Sequence, residues 1–143
     1  MKSVVLRGTY FMKNFYFTIE SLFLFFFGGL TYYTIEVVFR GYSHYSMILC
    51  GGLAFYLVSL FNRHYEKSLH LTTRLILSST IITATELLFG VIFNLYLGYS
   101  VWDYSELVIH FRGQICLTFS ILWFFLSVPV LFIERWIRTV LYS

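Results

Sequence analysis

The sequence predicts an all-α integral membrane protein with four transmembrane helices, on three observations. Only 12% of the 143 residues are charged and 59% are hydrophobic, whereas a soluble domain carries about 25% charged residues. The mean hydropathy is +0.77, more apolar surface than one small core can hide. Four long apolar runs follow one another, and the chain holds a single proline. Backbone facing lipid must satisfy its own hydrogen bonds, which helices and closed barrels alone achieve. The alternating pattern of barrel strands is absent.

A membrane helix needs about 20 apolar residues. The runs at about 15–39, 46–62, 72–97 and 114–134 meet that need, joined by a loop at 63–71 and a longer loop at 98–113. They read as one transmembrane domain over residues 1–143. The first run is too long for a signal peptide core, and no small-residue cleavage site follows it, so it reads as a helix that stays. Pro129 lacks an N–H, which leaves the carbonyl of Phe125 without its helical partner and predicts a kink.

Lys and Arg set the orientation. Eight of the ten, Lys2, Arg7, Lys13, Arg63, Lys67, Arg74, Arg135 and Arg138, fall on one side, against Arg40 and Arg112 on the other. Both termini and the 63–71 loop are therefore expected in the cytoplasm, with the protein in the plasma membrane and 98–113 as the outer loop. Charge follows topology here, so no nucleic-acid partner is expected. The membrane lipids are.

The helices pair as two hairpins with hints of a 2+2 internal repeat. Thr34-Ile-Glu-Val-Val-Phe39 is echoed in Thr85-Glu-Leu-Leu-Phe89, and a cysteine follows each outer loop, Cys50 and Cys116. A disulfide between them and two buried apolar thiols are both open. Neither cysteine has metal-ligand spacing, so no metal and no cofactor are expected. Gly28-Gly29 and Gly51-Gly52 read as close-packing points between helices.

Residues three and four apart share a helix face. Ser79, Thr83, Glu86, Gly90 and Asn94 thus form one polar stripe on the third helix. A carboxylate in lipid costs roughly 2.5 kcal/mol or more, so Glu86 is expected to face the bundle interior. Three roles are open to it: a functional site, hydrogen-bonding glue between helices, or an interfacial position if the helix is displaced. Glu36 and Arg40 are spaced for a local ion pair. If the repeat holds, Glu36 and Glu86 lie at equal depth and can share a proton or a cation. On the fourth helix Ser120, Trp123 and Ser127 trace a mildly polar face suited to packing. Arg112-Gly-Gln-Ile-Cys-Leu117 is expected to open that helix. In the outer loop Tyr99, Trp102 and Tyr104 suit an aromatic belt at the interface. Asp103 suits the N-cap of a short helix starting at Tyr104.

Four segments carry a family resemblance: EVVFRGYSHYS at 36–46, ELLFGVIFN at 86–94, VWDYS at 101–105 and GQICL at 113–117. In this order they resemble the small bacterial membrane proteins grouped as putative ABC-transporter permeases, type IV, over residues 28–128. The stretch VIHFR at 108–112 departs from that pattern. The resemblance implies transport. Its motifs also fall on Gly41 and Gly113 and on the residues expected to bind a substrate or ion: Glu36, Arg40, Glu86, Asn94, Trp102, Asp103, Tyr104, Ser105 and Gln114. No nucleotide-binding segment is present, so an ATPase would have to be a separate chain. No catalytic residue is assigned.

Three functions follow from these features. The first is a small permease or carrier for a cation or a proton-coupled solute; its four helices make a thin wall, which implies a homodimer or other homo-oligomer. The second is a non-catalytic subunit or sensor beside a larger membrane partner. The third is a membrane-embedded enzyme acting on a lipid-linked substrate with Asp103, His110, Glu86 and Arg112.

Overall fold

The computed structural model describes the backbone of residues 2–142 and the side chains of residues 8–142. The side chains of Lys2 and Arg7, counted in the charge asymmetry, lie outside the described residues. Four long helices follow in order: α1 (Lys2–Arg40), α2 (Tyr45–Tyr65), α3 (Leu71–Phe89) and α4 (Leu117–Leu141). Each includes a segment long and apolar enough to cross a bilayer. Because the third span continues beyond α3 to Tyr96, the shortest of the four spans is α2, with 21 residues. At about 1.5 Å per residue it is roughly 32 Å long, close to the ~30 Å hydrocarbon core.

The termini of these helices follow their local chemistry. Gly41 has φ +79°, and its N–H donates to the carbonyl of Val37 at 2.8 Å, a left-handed stop for α1. His44 caps α2, its Nδ1 accepting from the Ser46 N–H at 3.2 Å. The α1 start at residue 2 replaces the expected start near 15. Hydropathy marks where a helix becomes apolar, and the polar residues before it continue the same helix. α3 runs on as a π-helix, Gly90–Tyr96, so the third helical rod ends where expected.

Two expectations about the outer loop are corrected. The fourth helix does not open at residue 114. Residues 110–116 form a small antiparallel hairpin instead, β1 (His110–Phe111) on β2 (Ile115–Cys116), and α4 starts at Leu117. Arg112 and Gly113 both have positive φ, 50° and 69°, which no helix accommodates. The fold is therefore all-helical apart from this two-stranded hairpin. Asp103 caps a turn and not a helix: its Oδ1 accepts from the Ser105 N–H at 2.9 Å.

α1 packs along α2, α2 also touches α3, and α3 packs on α4; α1 and α4 touch sparsely. At the α1–α2 crossing the paired glycines meet. A Cβ on Gly28 would collide with Phe55, and one on Gly51 with Tyr32, so the absence of side chains sets the helix separation. The core runs through Val58, Ile82, Trp123 and Leu131. Both cysteines are buried free thiols. α4 is helical through Pro129.

Candidate functional site

Glu86 sits on α3 with 2% of its surface exposed. Its Oε1 accepts from the Tyr104 hydroxyl at 2.8 Å, and its Oε2 from the Trp123 indole Nε1 at 3.0 Å. Among the described residues no ion pair reaches it. The rest of the α3 stripe faces α4 and the outer loop. Ser79 donates to the Ser120 carbonyl at 2.7 Å, and Thr83 lies 3.1 Å from the Ser120 hydroxyl.

Above Glu86 the loop is laced to the π-helix. Asn94 donates to the Trp102 carbonyl at 3.1 Å and to Gln114 Oε1 at 2.8 Å. It accepts from the Val101 N–H at 2.6 Å. The Trp102 indole donates to the Gln114 carbonyl at 2.9 Å. The widened π turn starts at Gly90, where a Cβ would strike Gln114. A π segment inside a helix is a local distortion often found at functional sites.

This lacing corrects the aromatic-belt expectation for two residues. Trp102 is 5% exposed and packs with Met47 and Val101. Tyr104 stacks on Phe119 at 4.7 Å. Each has a polar atom with a partner inside the fold, and that draws the ring inward. Tyr99 is exposed, as a belt residue would be. Burial, then the charge of Glu86, raises the Tyr104 hydroxyl well above the ordinary phenol range. It therefore remains a donor to Glu86 at neutral pH.

Glu36 and Arg40 form the expected ion pair on α1. Arg40 also donates to the Val101 carbonyl at 3.3 Å, which ties the pair to the loop over Glu86. Seven expected residues thus meet at one end of the bundle: Glu36, Arg40, Glu86, Asn94, Trp102, Tyr104 and Gln114. Asp103 and Ser105 stay on the exposed turn. The backbone hydrogen bond from Ser105 holds the Asp103 carboxyl below its usual range. His110 Nδ1 accepts from the Gly113 N–H and not from an acid–base partner. The groups named for an enzyme are therefore divided between a buried and an exposed location.

A second polar layer, not anticipated from the sequence, lies toward the other end of the bundle. Glu20 is 1% exposed and pairs with Arg63. Glu134, also buried, accepts from Asn62 at 2.6 Å and pairs with Arg138 at 3.2 Å. Arg74 donates to the other side of Asn62 at 2.5 Å. The signal for Glu20 and Glu134 was close to the one used for Glu86, a carboxylate within an apolar run or at its end. Along α1, Glu20 and Glu36 are roughly 24 Å apart. Between the two layers no buried charged side chain occurs among the described residues; the buried polar groups there include the hydroxyls of Ser78, Ser79 and Ser127.

No curated protein and no solved structure matches the chain. A family model described as Putative ABC-transporter type IV matches residues 15–143. That span takes in all seven gathered residues and nearly the whole length, and the chain belongs to this family of transport-related membrane proteins.

Proposed function

We propose that the chain is a small multi-pass permease or carrier of the plasma membrane, with Glu86 as the buried acceptor of a cation or of the proton that drives a small solute. One observation carries this reading. Glu86 meets two neutral donors, Tyr104 and Trp123, and no Lys or Arg among the described residues. A carboxylate at low dielectric without a cation is stabilised by taking up positive charge. Asn94, Trp102, Gln114 and the Glu36–Arg40 pair form the cover that would have to open. Asp103 and Ser105 belong to the mouth of that cover.

The Lys and Arg asymmetry supports cytoplasmic termini, with two helical hairpins crossing the membrane. The family description supports a separate ATPase as a partner chain, and the thin wall of four helices supports a homo-oligomer. A second reading, a subunit beside a larger membrane partner, is favoured by α1. Its residues 8–19 are exposed on every face, with Tyr10, Phe11 and Phe15 among them.

Proteoliposomes loaded with a pH-sensitive or potassium-sensitive dye test the carrier reading. Wild type should pass protons or potassium down an imposed gradient, and Glu86→Gln should stop the flux while keeping the wild-type elution volume in mild detergent. Equal flux in both proteins would overturn it.

A further inference from the structure

A cavity of about 190 Å³ lies between α1, α2 and α4. Phe55, Val58 and Trp123 form its deep wall and are buried. Thr31 and Ile35 on α1 and Pro129 on α4 also line it but are exposed. The open rim therefore belongs to two helices that touch only sparsely, and the cavity opens sideways through the α1–α4 seam. On α1 it spans residues 27–35, between the layers marked by Glu20 and Glu36. This is hydrocarbon depth. The lining has no charged side chain, and neighbours on the outer faces, Leu30 and Phe125, are exposed and apolar.

We propose that this cavity takes a segment of about six methylenes from one acyl chain of a membrane phospholipid, inserted laterally through the α1–α4 seam. The proposal rests on the membrane placement above and not on the transport reading. A cavity this apolar excludes water, since water needs two to four polar partners, while a dry apolar void of similar size binds a hydrocarbon guest. An empty void forfeits the dispersion contacts of its walls. The medium at the seam is lipid chain, so the hydrocarbon at hand is an acyl chain. At roughly 30 Å³ per methylene, close to the share of one water in the liquid, the cavity holds about six. The inserted chain would lie against Trp123, whose indole nitrogen holds Glu86. Occupancy would thereby fix the ring that orients the carboxylate.

Tryptophan quenching in vesicles of phospholipid brominated near the middle of its chains tests this. A Trp136→Phe background removes the exposed indole, and Trp102, sealed under the loop, serves as the internal reference. Trp123 emission should be quenched relative to vesicles of the unbrominated lipid. Thr31→Phe, and separately Ile35→Phe, should fill the rim and remove most of that quenching. Emission unaffected by bromine, or quenching that both rim variants leave intact, would overturn the proposal. Quenching without flux would sink the carrier reading alone, and flux without quenching would sink the lipid site alone.

Discussion

The indole nitrogen of Trp123 on α4 donates to Glu86 on α3 across 3.0 Å, and both residues are buried. This bond joins the polar layer under the outer loop to the wall of the apolar cavity below it. Trp123→Phe keeps an aromatic ring but removes the donor together with the five-membered half of the indole. It leaves a buried carboxylate oxygen without its partner, at a cost of about 1–3 kcal/mol. Thermal unfolding in mild detergent should show a lower midpoint for Trp123→Phe. In a Glu86→Gln background the same change should cost less, because the interaction has already been weakened. Equal costs in both backgrounds would mean that the bond contributes nothing of its own.

Asn94 is the knot of the outer cover. Its side chain serves Trp102, Gln114 and Val101 together. Asn94→Ala leaves buried partners unmet, each at about 1–3 kcal/mol, and should loosen the loop from the π-helix. Cys116 reports on this, being 3% exposed and two residues from Gln114. In a Cys50→Ala background a membrane-permeant maleimide should label Cys116 slowly, and faster once Asn94 is replaced. An unchanged rate would place the hold of the cover elsewhere.

The α1–α2 crossing predicts a steric contrast between two glycines. Gly28→Val drives new atoms into Phe55 and the Gly51 carbonyl, and overpacking of this kind costs about 1–3 kcal/mol. Gly8 has open space around the position of a Cβ, so Gly8→Ala should hold or raise the melting midpoint. A loss at Gly8 as large as that at Gly28, or no loss at Gly28, would show that the crossing does not govern the effect.

Stability near the chain ends should depend on pH through Glu66, which lies in the connection between α2 and α3. Partial burial acts to raise its pKa. The hydrogen bond from Arg138, then the charges of Arg138, Arg135 and Arg74, outweigh burial and hold it below the usual carboxylate value. A carboxylate whose folded pKa is depressed adds stability above its unfolded pKa, and that stability is lost as pH falls through the folded pKa. The detergent melt should therefore weaken on acidification below the ordinary carboxylate range, and Glu66→Gln should flatten that part of the profile. A profile indifferent to Glu66→Gln would assign the acid loss to other carboxylates.

Four helices were legible because lipid imposes a simple rule: a run of about twenty apolar residues with its backbone bonded to itself. Glu86 was legible by the same rule, since a carboxylate cannot face hydrocarbon cheaply. The Glu36–Arg40 pair needs only one helix turn, and it was read correctly. Trp102 and Tyr104 were misread because an aromatic residue with a polar tip suits an interface and a buried hydrogen bond equally well. The opening of α4 was misplaced because Gln114 to Leu117 has no residue that forbids a helix. Only the left-handed turn at Arg112 and Gly113 reveals the hairpin.

The sequence alone determined how many apolar helices there are, where most of them end, and that Glu86 turns inward. These depend on hydropathy and spacing along one segment. The tertiary structure decided which donors reach Glu86, that the loop closes over it through Asn94, and that Glu20 and Glu134 form a second layer. It also decided that α1 and α4 leave a seam between them. Those features join residues from different helices, such as Glu86 with Trp123 and Glu20 with Arg63, and their meeting depends on how the rods rotate and cross when packed.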